Sequence, residues 1–243
     1  MKNFPYLYRN SRAEARRLKE TREHEDSFRL NVSCARAIEQ SIRDHFSEAE
    51  EGLTGGCAQS VLERYGFLRV DFVLANSLKQ MGSPRRIGEE ERRWLQGTYV
   101  PPDGKYNRYF AVDTAASLLE AFIRQTKEAY QALDLFGPGH CIPGSEKQDY
   151  TGKVLAVSPN SLKESCWEPR NQLWLAESGF GCSPTSLGRA AFATCLGDGE
   201  RARWDRGSFA GIVKEELLPD WAREKLQELR GPQQEQTGGP SIS

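Results

Sequence analysis

The sequence carries no excess of either charge. Its 33 Lys and Arg stand against 34 Asp and Glu, a net charge of −1. Nucleic-acid binders draw affinity from phosphate neutralisation and usually show a basic surplus, so the balance argues against a sequence-independent DNA or RNA binder. A DNA mimic needs a strong acidic surplus, and that is missing too. The Arg-rich runs SRAEARRLK and PRRIGEEERRW interleave Glu, the pattern of a solvated helix face. Histidine is scarce: three residues, none after His140. The six cysteines (Cys34, Cys57, Cys141, Cys166, Cys182 and Cys195) include no C-x-x-C pair, which excludes a zinc ribbon and a thioredoxin-type motif. No apolar run reaches the roughly 18 residues of a membrane span. MKNFPYLYRNSRAEARR lacks the apolar stretch of a secretory leader. The expectation is a cytoplasmic protein with reduced thiols and no membrane contact. P-loop and dinucleotide fingerprints are absent, and no cofactor or metal is expected.

What is present is a charge-rich chain of 243 residues, 38% hydrophobic, long enough for one large domain or two small ones. Its first half has helical periodicity. Leu30, Cys34, Ile38, Ile42 and Phe46 recur every four residues and predict one apolar stripe, with Cys34 as a small core residue. CAQSVLERYG predicts a short helix with Val61, Leu62 and Tyr65 inward and Gly66 as its stop. FLRVDFVLANSLKQMG predicts another, built on Val70, Val73, Leu74 and Leu78. Arg69 and Asn76 fall near its packed side, and a buried Arg69 would call for a carboxylate such as Asp71 or Glu63. DTAASLLEAFIRQTKEAYQALDLFG predicts a longer helix capped by Asp113.

The character changes after GPGHCIPGSEKQDYTG, whose glycines and prolines mark a linker over residues 137–152. KVLAVSP and QLWLAES have the look of short strands. AAFATC and ARW flank a Gly-Asp-Gly turn and predict a hairpin. LLPDWAREKLQELR predicts a final amphipathic helix capped by Asp220. The expected fold is α+β: an N-terminal all-helical domain (1–136), the linker, a small α+β domain with an antiparallel sheet (153–230), and a disordered tail (231–243).

Candidate chemistry is thin. Cys182, in GFGCSPTSLG, could sit at a helix start where free amides lower a thiol pKa, or be a small residue in a turn. Asp198, Glu200 and Asp205, with arginines between them, could hold a metal for phosphodiester cleavage, or could be turn and surface charges. Trp167, Trp174, Phe180, Phe192, Trp204, Phe209 and Trp221 are dense enough to be core. Any left exposed beside Arg170, Arg201, Arg203 or Arg206 would form a hot spot for a protein partner or stack on unpaired bases. The binding candidates are Arg170, Trp174, Arg201, Arg203, Trp204 and Arg206.

FRLNVSCARAIEQSIRDHF, VLERYGFLRVDFVLANSLKQ and a helix ending in RRW resemble an uncharacterised domain family of conjugative elements, plasmids and phages of gut Firmicutes, over roughly residues 8–136. Family members often read Asp-Gly-Arg-Phe-Ser after the second motif, where this chain has GSPRRIGEE. The second half resembles a module carried by the same kind of mobile-element protein. The resemblance brings no catalytic residues. It implies a mobile genetic element, where small accessory proteins often block host defences. The leading expectation is an anti-CRISPR or antirestriction inhibitor that binds a host nuclease or its nucleic-acid complex. A metal-dependent nuclease or thiol enzyme, and an RNA-binding adaptor, are the alternatives.

Overall fold

The computed structural model describes residues 4–49 and 51–230. The chain divides into two compact units, residues 1–132 and 133–243. The expected tail, 231–243, lies outside the described residues.

The first unit is helical: α1 (Arg12–Leu18), α2 (Thr21–Asp44), α3 (Gln59–Tyr65), α4 (Phe67–Gln80), α5 (Glu89–Gln96), α6 (Lys105–Arg108) and α7 (Ala116–Gln131). It also holds a two-residue ladder not foreseen in an all-helical reading, β1 (Phe46–Ser47) against β2 (Gly52–Leu53). Helix α4 is the hub. It touches α2, α3, α5, α6 and α7, and nine of its residues are buried. A helix contacted on so many sides needs apolar residues around most of its circumference, which FLRVDFVLANSLKQ supplies. Cys34, Ile38 and Ile42 from α2, Val61 and Leu62 from α3, and Leu119, Phe122 and Ile123 from α7 close the core around it.

Two expectations for this unit are corrected. The buried side of α2 keeps Cys34, Ile38 and Ile42 of the expected stripe but loses its ends, Leu30 being only partly buried, and adds Ser27, Asn31, Ala35 and Ser41. Phe46 has left the helix and is exposed. The polar members of that side have a purpose. Arg69, 1% exposed, donates from Nη1 to the Ser27 carbonyl and Oγ and to Asn31 Oδ1, and from Nη2 to the carbonyls of Pro5 and Tyr6. A buried guanidinium needs acceptors, and the ones its two Nη groups meet among the described residues are uncharged oxygens. Asp113 does not cap α7. The N-cap is Ala115, and the Asp113 backbone N–H donates to Glu39 Oε1 instead.

The second unit is a five-stranded antiparallel sheet in the order β6-β5-β4-β3-β7, with β3 Val154–Val157, β4 Leu173–Ser178, β5 Ala190–Cys195, β6 Arg201–Asp205 and β7 Phe209–Ile212. A one-turn helix α8 (Pro169–Gln172) precedes β4, and α9 (Asp220–Arg230) follows β7. Asp220 is the first residue of α9 rather than its cap, and Asp220 Oδ1 accepts from Arg223. One face of the sheet carries Leu155, Val157, Trp174, Ala176, Ala191, Ala193 and Phe209 in a core with Tyr150 and Cys182. The other carries Val154, Ala156, Leu173 and Leu175 against Phe136, Leu218 and Ala222 of α9. Alternation along each strand feeds both cores.

The segment expected as a linker is built into this unit. Gln172, fully buried, accepts from the Phe136 N–H and donates to the carbonyls of Phe136 and Val157. Further on, the 141–145 stretch lies as a strap along β7. The Ile142 N–H donates to the Ile212 carbonyl, Cys141 bridges Val213, and Ser145 Oγ accepts from the Ile212 N–H. The approach is close: a Cβ on Gly211 (φ +147°) would fall 2.4 Å from Ser145 Oγ. Backbone hydrogen bonds and a missing side chain hold the strap, so composition alone reads it as a linker.

Candidate interaction face

The Gly-Asp-Gly signal does mark a hairpin. β5 and β6 pair from Ala190↔Asp205 to Thr194↔Arg201, and the Cys195 N–H closes the loop onto the Glu200 carbonyl. Side chains alternate, so Ala191, Ala193, Ala202 and Trp204 face the core, while Phe192, Arg201, Arg203 and Asp205 take the opposite side and are exposed. Phe192 stands directly across from Arg203. Two more apolar side chains project from the connection between β4 and β5: Phe180, 76% exposed, and Leu187, fully exposed.

Glycine lets this surface form. Gly179 (φ +107°) lies under the Phe192 ring, where a Cβ would come within 3.2 Å of Cδ2 and 2.4 Å of the Ala190 carbonyl. Phe180 packs its Cβ over Gly188 in the same way. The two exposed aromatics are thus backed by bare backbone and are held outward by it.

The charges divide into engaged and free. Arg189 forks onto Asp205, donating from Nε at 3.2 Å and from Nη2 at 3.0 Å. This pair, followed by the Gly207 N–H, holds the Asp205 carboxyl below its ordinary range. Glu177 accepts from Thr194 Oγ1 and pairs with Arg201, and both lower its pKa, the hydroxyl more. Arg203 has no ion-pair partner among the described residues.

Arg206 is differently placed from the surface role expected of it. Its Nη1 donates to the carbonyls of Gly181 and Cys182, both at 2.8 Å, and its Nη2 to those of Glu146 and Gln148 at 2.7 and 2.8 Å. The guanidinium lies 3.8 Å from the centre of the Tyr150 ring. It therefore clamps the Phe180 turn to the chain leading into β3. Trp174 and Trp204 are also structural. They meet edge to face at 5.1 Å in the core, and Trp174 Nε1 donates to the Asn171 carbonyl. Arg170 lies over Trp221 of α9, and its carbonyl receives the Cys195 thiol.

The catalytic candidates do not converge. Cys182 is buried, its Sγ donates to the Ser178 carbonyl at 3.1 Å, and burial pushes the thiol pKa up. A nucleophile needs the reverse shift. Asp198 accepts from the Glu200 N–H in the hairpin loop, whereas Asp205 lies at the far end of β6, on the order of 15–20 Å away along extended chain. Among the described residues, no three His, Cys, Asp or Glu side chains are grouped to hold a metal ion.

Sequence reasoning singles out the aromatic density but not Leu187, Arg189 or Glu177. Period-two patterning around Phe192 is the available signal, since Ala-Phe-Ala places it opposite two small core residues. No described helix is long and apolar enough to cross a membrane. No curated protein and no solved structure matches the chain. A family model described as "Protein of unknown function (DUF3849)" matches residues 7–131, the greater part of the helical unit and just over half of the chain, and the candidate face lies beyond it. By that match the chain belongs to the DUF3849 family.

Proposed function

We propose that this protein acts by binding another protein through the outer face of the β5–β6 hairpin. The observation that carries the reading is the exposure of Phe180 and Leu187 on the β4–β5 connection and of Phe192 directly across from Arg203, which has no ion-pair partner among the described residues. Large aromatic side chains backed by rigid backbone and flanked by an arginine are the usual make-up of a binding hot spot. Arg206 supports the reading because it fixes the turn that presents Phe180, which lowers the ordering cost on association.

In its finer form the reading is a cytoplasmic anti-defence factor of a mobile genetic element, with a CRISPR or restriction nuclease as partner. That part rests on the sequence resemblance. The test pairs plasmid or phage survival against a panel of such nucleases with direct binding to the purified effectors. The wild type is expected to protect against, and bind, at least one effector. A Phe180→Ser/Phe192→Ser variant should lose about 30-fold in affinity or more. Absence of binding and protection across the panel, or full activity of the variant, would overturn the reading. RNA affinity that falls steeply with salt would replace it with base stacking on the same aromatics.

A further inference from the structure

The β6 margin of the sheet has a polarity that matches itself. The Cys195 N–H bonds the Glu200 carbonyl and the Arg206 N–H bonds the Arg189 carbonyl, which fixes the alternation along the hairpin. Ala202 and Trp204 are therefore the residues of β6 that exchange backbone hydrogen bonds with β5. Arg201, Arg203 and Asp205 turn their N–H and C=O groups away from it, and β6 is the last strand on that side. Their side chains are exposed.

We propose that two copies of this chain pair through β6, antiparallel, about a two-fold axis at Trp204. In that register Arg203 of one copy stands opposite Asp205 of the second, and Asp205 opposite Arg203. Both are outward-turned residues, so each such pair exchanges both of its N–H···O bonds. Opposite charges in cross-strand positions stabilise the pairing, and like charges would oppose it. The unpaired Arg203 gains a carboxylate. Asp205 keeps Arg189 and has lone pairs left for a second guanidinium. On the other face Trp204 meets Trp204 across the axis, each ring backed by its own Trp174.

Charge also selects against the neighbouring register. An axis at Arg203 would satisfy the backbone equally well but would set Arg203 against Arg203. A shift by one residue would place outward N–H groups opposite inward ones and lose the ladder. The order Arg203, Trp204, Asp205 is thus complementary to its own reversal, which an unrelated strand would match only if it carried the same alternation. The inference goes beyond the partner proposed above and does not depend on it: the two share Arg203, but this one rests on the backbone edge of β6 and not on Phe180, Leu187 or Phe192.

Sedimentation velocity of the full chain across a wide concentration range tests it. The wild type is expected to show a concentration-dependent dimer, with slowed amide exchange at Arg203 and Asp205 in the dimer. Arg203→Glu and Asp205→Arg should each weaken self-association about tenfold or more. Mixed in equal amounts, the two variants should form a heterodimer. The introduced glutamate of one then faces the introduced arginine of the other, and the retained Asp205 faces the retained Arg203. Thermal melts establish that both variants fold. If Asp205→Arg does not fold, Arg203→Pro, which removes an outward N–H and leaves the bonds to β5 in place, should abolish the dimer. A wild type that stays monomeric throughout overturns the proposal. So does a dimer insensitive to Arg203→Glu, or a mixture that shows no recovery.

Discussion

Each unit of this protein uses one arginine to gather backbone carbonyls, and the two arginines do it in opposite settings. Arg69 lies inside the helical unit on α4, 1% exposed, and ties residues 5 and 6 to α2. Arg206 sits partly exposed at the rim of the sheet and ties the Phe180 turn to residues 146 and 148. The first is a fixture of the core, where every polar atom must be answered locally. The second fastens loops that solvent can still reach, so its loss leaves water as a replacement partner. A guanidinium with five donors in a fixed fork serves both purposes, and a lysine serves neither.

The difference can be tested in order of expected effect. Arg69→Met should be the most damaging change, costing about 3 kcal/mol, because it strands several buried oxygens. Chemical denaturation of the helical unit measures it, and a loss within the range of surface substitutions would mean that Arg69 is not the tie described. Arg206→Lys should cost about 2 kcal/mol and speed amide exchange at 181–183, leaving the helical unit unaltered. Equal exchange in both proteins would remove the clamp from the account.

Alkaline pH should act on both units through their buried thiols, most at Cys34. Burial raises the thiols of Cys34, Cys57, Cys141, Cys182 and Cys195, and Cys34 is pushed up to about 12, partly offset by nearby Arg69. A raised folded value means that the folded state holds its proton more tightly. The stabilisation is complete below the unfolded thiol value near pH 9 and is lost as pH rises toward the folded value. For Cys34 the slope is roughly 1 kcal/mol per pH unit across that window. Melting temperature against pH for the wild type and Cys34→Ala checks it, with a flatter alkaline limb expected in the variant. Phe192→Ser should do least to stability, within about 0.5 kcal/mol, since its ring is already half exposed. A large destabilisation would identify Phe192 as core rather than contact.

The helices around α4 and the hairpin are legible because their signals are local. Val61, Leu62 and Tyr65 lie inward with Gly66 at the end, as the spacing predicts. The same holds for the Gly-Asp-Gly turn between β5 and β6. What escapes a sequence reading is decided by distant chain. The inward side of α2 turns toward Ser27 and Asn31 because Arg69, some forty residues away, needs their oxygens. The strap at 141–145 has no apolar periodicity and is held by the backbone of Ile212. Among the three arginines at 201, 203 and 206, periodicity cannot tell which meets carbonyls and which meets solvent. It groups Arg206 with Arg203 for that reason, and only the fold separates them.

The strap has one more consequence. With Ile212 already spoken for on the β7 side, the sheet has a sealed margin opposite its open one. A unit that can recruit a neighbour from one direction only forms a closed couple and then stops, so its exposed strand carries no route to fibres.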